Sequence, residues 1–170
     1  MTFHNFSDNP SLIKKMEQHN RTFESLELDP KIIDSIYQLV NNGFPIAPSS
    51  IQYGSIPLIL NHKNVLFSAE TGSGKTIAYL APIIQLIDKQ KRLNGDTMKN
   101  SKYPYGFVLL PSRELAEQVG NVAHKLASST NVGVSTMVGG LPRHLTATGF
   151  DLIISTVGLV NSHLSQGNFK

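Results

Sequence analysis

Apolar residues recur along the chain with two different spacings, and each spacing predicts one kind of element. Spacings of three and four residues predict amphipathic helices at about residues 30–40, 50–60, 76–89, 113–126 and 157–164. Short unbroken or alternating apolar runs predict strands at residues 65–67, 107–110, 132–138 and 151–155. Because strands and helices alternate, the pattern predicts an α/β fold, in which a parallel sheet is flanked by helices and connected by right-handed crossovers.

Capping residues and polar stretches mark where these elements begin and end. Asp29 before Pro30 predicts the start of a helix, and Ser112 predicts the start of another. Residues 1–22 are polar and weakly periodic, which predicts a flexible tail. Residues 88–104 are polar and basic, which predicts a solvated loop. We therefore divide the chain into a polar flexible tail at 1–22, a helical segment at 23–62 and an α/β part at 63–170.

A glycine-rich turn separates the first predicted strand from the helix that follows it. It consists of Ala69, Glu70, Thr71, Gly72, Ser73, Gly74, Lys75 and Thr76. Apart from Ala69, where glycine is usual, this is the pattern of a phosphate-binding loop. Gly72 and Gly74 let backbone N–H groups turn toward phosphate oxygens. We expect Lys75 to reach the β- and γ-phosphates and the Thr76 hydroxyl to ligate Mg²⁺.

The loops that leave the predicted strands are a wider group of candidates. They begin at Ala69, Pro111, Gly139 and Thr156. In a parallel sheet these loops all leave the carboxyl ends of the strands, which is where open α/β folds bind their ligands. We therefore expect the functional residues to lie at that edge.

Composition and charge exclude few classes of function. The chain has 170 residues, which suits one domain, and its net charge of +3 permits binding to nucleic acid without indicating it. It contains no cysteine, so disulfides and thiolate metal sites are excluded. No apolar run has the length of a transmembrane helix, and the N-terminal tail lacks the apolar stretch of a secretory signal. We expect neither a membrane nor a disulfide partner.

Three of these motifs together resemble the N-terminal half of a DEAD-box RNA helicase, over about residues 23–166. The turn at 69–76 matches the first motif of that family residue for residue. Residues 111–116 match its P-T-R-E-L-A motif, with Ser112 in place of threonine, and Gly139-Gly140 matches its double-glycine motif. The resemblance implies a RecA-like P-loop domain that uses ATP and Mg²⁺.

Upstream, residues 48–52 and Phe23 resemble the Q motif, by which the family recognises adenine. The resemblance implies that the Gln52 amide reads the adenine edge, because it offers both a donor and an acceptor, and that Phe23 stacks over the base. Residue by residue, it makes Lys75 and Thr76 the catalytic residues. Two simpler interpretations stay open: Gln52 as a helix-capping or solvent-facing amide, and Phe23 as a core aromatic.

The resemblance also implies contacts with the RNA backbone, made by Pro111, Ser112, Arg113, Gly139, Gly140, Thr156 and Gly158. Such contacts are independent of base sequence and sensitive to salt. Here too simpler interpretations stay open. Arg113 can form a surface salt bridge with Glu114 or Glu117, and the two glycines can be an ordinary turn after a strand.

The chain departs from the family pattern in two places. Leu159 stands where the family's T-P-G-R motif has arginine, so one charged RNA contact is missing. The sequence ends at Lys170, before the D-E-A-D motif and the second RecA-like domain. We therefore expect a fragment of a longer helicase, with a sheet that is incomplete at its C-terminus and with poor stability on its own.

The resemblance implies an ATP-dependent RNA helicase, in which ATP binding is coupled to sequence-independent RNA binding and to local duplex unwinding. The parent protein would hydrolyse ATP, and the fragment alone is expected to be inactive. The alternative is a non-catalytic nucleotide- and RNA-binding module, because the hydrolytic motif and the second domain are absent. An unrelated P-loop ATPase would leave the matches at Gln52 and Arg113 unexplained. The resemblance selects no RNA, and it does not distinguish mitochondrion, nucleus and cytoplasm.

Overall fold

A computed structural model of the chain describes residues 21–94, 103–139 and 150–167. Contacts between Cα atoms divide the chain into two units, Met1–Leu86 and Ile87–Lys170. These limits differ from the segments that the sequence pattern suggests, whose boundaries stay a prediction.

The first unit is mainly helical in its described part. A 3-10 turn, Glu24–Leu26, precedes helix α1, Pro30–Asn41, and helix α2, Ser50–Leu60; the helix α3, Lys75–Asn94, begins in this unit. Helix α1 begins where the sequence predicts, because the Asp29 carboxylate accepts a hydrogen bond from the N–H of Lys31 and Pro30 occupies the first helical position.

The core of the first unit consists of aliphatic and aromatic side chains from all of these elements. The largest fully buried ones are Phe23, Leu26, Ile32, Ile36, Ile56, Leu80, Pro82 and Ile84. Gln85 on α3 holds the segment that precedes α1. Its Oε1 accepts the N–H of Asp29 at 2.6 Å, and its Nε2 donates to the carbonyl of Glu27 at 2.9 Å.

Two predictions of secondary structure are wrong. Residues 65–67 form no strand: Val65 makes an isolated bridge, and Leu66 is 61% exposed. A strand needs a neighbour to pair its N–H and C=O groups, and three apolar residues do not supply one. Residues 88–94 were predicted as part of a loop, but they continue helix α3. The rest of that predicted loop, except Tyr103 and Pro104, lies outside the described residues.

The second unit contains the parallel sheet. Its elements are strand β1, Gly106–Leu110; helix α4, Arg113–Ala127; strand β2, Val134–Met137; strand β3, Leu152–Thr156; and helix α5, Val157–Ser165. The strand order is β1-β3-β2, and both pairs are parallel. Because β3 lies in the centre, four of its five residues are buried. The structure thus confirms the predicted α/β fold with a parallel sheet.

A polar network fixes the amino ends of these strands. The Asp151 carboxylate accepts the Lys91 ammonium at 2.5 Å and the N–H of Gly133 at 2.6 Å. The backbone carbonyl of Asp151 accepts hydrogen bonds from the N–H groups of Tyr105 and Gly106. This network joins the end of α3 to the sheet, and it explains why the helix continues beyond the predicted end.

Helix α4 packs very close to strand β2. A Cβ on Gly120 would lie 2.1 Å from the Oγ1 of Thr136, so the helix backbone itself faces that side chain.

None of the described helices combines the length and hydropathy needed to cross a bilayer.

Candidate functional site

The glycine-rich turn of residues 69–76, called the phosphate turn below, leads into the first turn of α3. Gly72 and Gly74 have φ angles of +83° and +85°, which residues with a side chain rarely adopt. A Cβ on Gly74 would also lie 2.3 Å from the Nε2 of Gln52. The backbone therefore curls as expected, and both glycines are needed for that shape.

Lys75 folds back over the phosphate turn. Its ammonium donates hydrogen bonds to the carbonyls of Ala69 and Glu70, each at 2.5 Å. Within the described residues, this cation at the turn has no carboxylate partner. An anion bound here would replace the two carbonyl groups as the partner of the ammonium.

The phosphate turn also contains an unpaired polar group. The Oγ of Ser73 is buried and has no hydrogen-bond partner in the described part of the chain. Leaving a buried hydroxyl unpaired costs about 1–3 kcal/mol, and an acceptor such as a phosphate oxygen would remove that penalty. The N-terminal end of a helix of 20 residues adds its positive dipole. The residues present therefore fit a phosphate group.

Thr76 supplies the kind of oxygen that Mg²⁺ prefers. Its side chain hydrogen-bonds Tyr79, one turn further along α3. Burial raises the pKa of Tyr79, and the hydrogen bond with Thr76 offsets part of that rise. The donor type fits the ion, while the role of Thr76 as a metal ligand stays a prediction.

Gln52 lies against the phosphate turn. Its Oε1 accepts the N–H of Ser49 at 2.9 Å, as in a capping box, and its Nε2 donates to the carbonyl of Gly74 at 3.2 Å. The Oγ of Ser49 donates to the carbonyl of Ser73 at 2.8 Å. The helix-capping interpretation of Gln52 is thus confirmed, and the spacing Ser-x-x-Gln was its signal in the sequence. Whether Gln52 also reads adenine stays a prediction.

The predicted role of Phe23 does not fit the structure. Phe23 is 0% exposed and lies edge-on to Tyr37, with ring centroids 5.9 Å apart. A fully covered ring offers no face to a base, so Phe23 is the core aromatic that the simpler interpretation describes. Phe44 was overlooked: it is 69% exposed in the linker between α1 and α2. Its signal was an aromatic residue in a proline-containing linker that leads to Gln52.

The second group of candidates lies in the second unit, where the three strands end. The register pairs Leu110 with Thr156 and Met137 with Ser155, so all three carboxyl ends lie at one edge of the sheet. We call the described residues that leave it, 111–113, 139 and 156–159, the strand-end edge. The structure thus brings together Pro111, Ser112, Arg113, Gly139, Thr156 and Gly158, as predicted. Gly140 lies outside the described residues, and the phosphate turn belongs to the other unit.

At this edge α4 begins with capping and ion-pair contacts. The Oγ of Ser112 accepts the N–H of Leu115 at 3.2 Å, which confirms the predicted cap. The Nε of Arg113 contacts the Oε1 of Glu117 at 3.0 Å, and both side chains are about half exposed. The pKa of Glu114 is lowered, first by a hydrogen bond from its own backbone N–H and then by the Ser112 hydroxyl. The salt-bridge interpretation of Arg113 is therefore confirmed, and its contact with RNA stays a prediction.

The residues at the other two strand ends are more open. Pro111, Gly139 and Gly158 are exposed, and no group of the described residues would meet a Cβ added to Gly139 or Gly158. Thr156 occupies the N-cap position of α5 without a side-chain capping bond. Leu159 is partly buried and packs against Met137 and Ile153. The residue that replaces the expected arginine therefore belongs to the core of this unit.

Comparison with known proteins identifies the family. A model of the DEAD/DEAH box helicase family matches residues 49–170. The chain belongs to the DEAD/DEAH box helicase family. Among its relatives, the ATP-dependent RNA helicase SrmB of Escherichia coli is 36% identical over an alignment of 153 residues that covers 87% of this chain and 32% of SrmB. The ATP-dependent RNA helicase dbp9 of Aspergillus terreus is 38% identical over an alignment of 158 residues that covers 89% of this chain and 24% of dbp9.

Solved structures of this helicase family share the fold. A DEAD box protein from Methanococcus jannaschii superposes with a TM-score of 0.71 at 28% identity, covering 89% of this chain and 39% of that chain. A variant of Saccharomyces cerevisiae Dbp5, bound to RNA and ADP BeF3, has a TM-score of 0.70 at 25% identity, covering 89% and 36%. The predicted RecA-like fold is confirmed. The chain spans about a third or less of the curated relatives described here.

Proposed function

We propose that this chain is the nucleotide-binding part of an ATP-dependent RNA helicase. The phosphate turn would hold the triphosphate, and the strand-end edge would hold the RNA backbone. The observation that carries the proposal is the geometry of the phosphate turn. It places Gly72 and Gly74 at positive φ, a buried unpaired hydroxyl and a lysine at the start of one long helix.

Each group of the phosphate turn has a defined part in this proposal. The curled backbone and Ser73 would donate hydrogen bonds to phosphate oxygens, and Lys75 would exchange its two carbonyl partners for the β- and γ-phosphates. Thr76 would hold Mg²⁺, which neutralises phosphate charge when it is bound. Gln52 would stay in contact with the turn while its remaining N–H and lone pair read adenine.

Base stacking is assigned to a different residue from the one that the resemblance suggests. Phe23 is buried, whereas Phe44 exposes most of its ring in the linker that leads to α2. The N–H of Phe44 donates to the carbonyl of Asn41 at 3.0 Å, and its carbonyl accepts the Asn41 amide at 3.3 Å. An exposed aromatic ring on an anchored backbone is suited to stacking on a base. We therefore assign the stacking contact to Phe44.

The strand-end edge supplies contacts suited to an RNA backbone. Arg113 offers a half-exposed guanidinium, and α4 and α5 both begin at this edge, where a helix N-terminus favours phosphate. These groups recognise phosphate rather than base edges, so binding would not depend on RNA sequence. The names of the relatives and the RNA in the Dbp5 complex support this assignment. A second RecA-like domain and the residues that activate water would complete the whole protein.

Titration with a fluorescent ATP analogue and Mg²⁺ tests the phosphate turn. Lys75→Ala removes the charge-assisted hydrogen bonds to phosphate, so we expect at least about tenfold weaker binding. Lys89→Ala is the matched control, because Lys89 is an exposed lysine on the same helix. Circular dichroism checks that each variant is folded. Equal affinity of wild type and Lys75→Ala would overturn the assignment of the triphosphate to this turn.

A further inference from the structure

We propose that Glu117 weakens RNA binding at the strand-end edge by competing with phosphate for Arg113. The inference rests on the proposed function, because it assumes that Arg113 contacts the RNA backbone. It adds a residue that lies outside the motifs of the sequence analysis. Glu117 would act as an internal competitor that sets the strength of this contact.

The first support is the geometry of the ion pair. The Nε of Arg113 donates to the Oε1 of Glu117 at 3.0 Å, and the two residues are one helical turn apart. A bidentate contact between guanidinium and phosphate uses neighbouring N–H groups on one side of the guanidinium. When Glu117 occupies Nε, phosphate cannot use the side that includes this donor. A phosphate that binds through Nε and the neighbouring Nη must therefore displace the carboxylate.

The second support is the charge of the surroundings. Within the described residues of the strand-end edge, Arg113 is the one cation. Leu159 stands where the family pattern has a second one, and it packs against Met137 and Ile153. A carboxylate that pairs with Arg113 therefore offsets all of the side-chain positive charge that these described residues present to RNA.

The third support is that the pair is easily broken. The side chains of Arg113 and Glu117 are 52% and 49% exposed, so water screens their attraction. An exposed pair at this spacing changes an equilibrium by about twofold. RNA can therefore displace Glu117 at a modest loss of affinity. The pair limits binding without blocking it.

The inference predicts both an affinity and a salt dependence. Glu117→Gln removes the negative charge that competes with phosphate for Arg113 without changing the length of the side chain, so RNA should bind about two- to threefold more tightly at low salt. The freed guanidinium can then associate with a counterion, which the phosphate contact releases. The slope of log affinity against log salt should steepen by up to about 0.7 for single-stranded RNA.

The experiment measures fluorescence anisotropy of a labelled oligouridine against the purified chain at several salt concentrations. A charge-matched control is Glu117→Gln combined with Asn121→Glu. It moves the carboxylate about 12 Å from Arg113 along the same helix and keeps the net charge. We expect this double variant to bind RNA like Glu117→Gln. Binding like wild type would mean that net charge alone sets the affinity, and it would overturn the proposal.

A second control removes the proposed target of the competition. In an Arg113→Ala background, Glu117→Gln should no longer change RNA affinity, and a persisting increase would overturn the proposal. The same series separates this inference from the proposed function. If Arg113→Ala leaves RNA binding unchanged, the RNA contact itself is wrong. If it weakens binding while Glu117→Gln has no effect, only the competition is wrong.

Discussion

The phosphate turn and the strand-end edge differ in how their polar groups are paired. At the phosphate turn, Lys75 and Gln52 bind backbone carbonyls of the turn itself. At the strand-end edge, Arg113 makes an exposed ion pair and Thr156 makes no side-chain capping bond. Polar side chains at the phosphate turn are therefore paired with the backbone of the turn, whereas those at the strand-end edge are open to solvent.

This difference suits two different ligands. A triphosphate is small, and its recognition needs donors held at fixed positions, so a turn braced by Gln52 and Ser49 is appropriate. RNA backbone is recognised by exposed groups that act mainly through charge. Substitutions should therefore have large effects on folding near the phosphate turn and small effects on folding at the strand-end edge.

The largest expected effect tests whether Phe23 belongs to the core or to the nucleotide site. Phe23→Ala removes a fully buried ring and should lower the free energy of unfolding by about 3–5 kcal/mol. Phe44→Ala removes an exposed ring, so its effect on stability should stay within about 0.5 kcal/mol. Urea denaturation followed by circular dichroism measures both changes.

Nucleotide titration of the same two variants completes the test. Phe44→Ala should weaken binding of a fluorescent ATP analogue while its fold is retained. Phe23→Leu, which keeps an apolar side chain, should bind the analogue like wild type. If the stability of Phe23→Ala is unchanged and its nucleotide affinity falls, the ring lies in the nucleotide site and not in the core of the first unit.

The next effect compares the two glycines of the phosphate turn. Both have positive φ, so alanine at either position costs about 1–2 kcal/mol of backbone strain. At Gly74 the added Cβ would also meet Gln52 Nε2 at 2.3 Å, whereas at Gly72 no other described residue comes within 4 Å. Gly74→Ala should therefore be the more destabilising variant, and it should also break the contact between Gln52 and the turn. Equal losses in urea denaturation would show that Gln52 does not brace the turn.

Much of the fold is predictable because its signals are local. The cap at Asp29, the cap at Ser112 and the apolar run of β3 each depend on a few neighbouring residues, and the structure confirms them. The strand predicted at 65–67 and the loop predicted at 88–94 fail for the opposite reason. A strand depends on partners that are distant in the sequence, and the end of α3 depends on the contact between Lys91 and Asp151.

The candidate site residues likewise divide into those that the local sequence predicts and those that depend on distant contacts. The phosphate turn is predictable because its spacing encodes its own backbone shape. The role of Phe23 is not, because an aromatic residue in sequence carries no sign of which side chains cover it. Phe44 was missed, since a linker draws attention only once its exposure is known. The sequence offers Glu117 as a partner of Arg113, but the effect of this pair on RNA binding depends on Leu159 being in the core.

The smallest expected effect is at the strand-end edge, and it should have the opposite sign to that at Gly74. Gly158 lies in the first turn of α5 without positive φ, and no other described residue would meet a Cβ there. Gly158→Ala should therefore raise the free energy of unfolding by up to about 1 kcal/mol, because alanine favours the helix. The added methyl group would project into the space where the RNA backbone is proposed to lie, so affinity for an oligouridine should fall.

The matched control is Asn161→Ala, because Asn161 lies on the same helix, α5. This substitution should affect stability alone. If Gly158→Ala gains stability and binds RNA like wild type, the open space beside α5 is not part of the RNA site, and the strand-end edge is reduced to the start of α4.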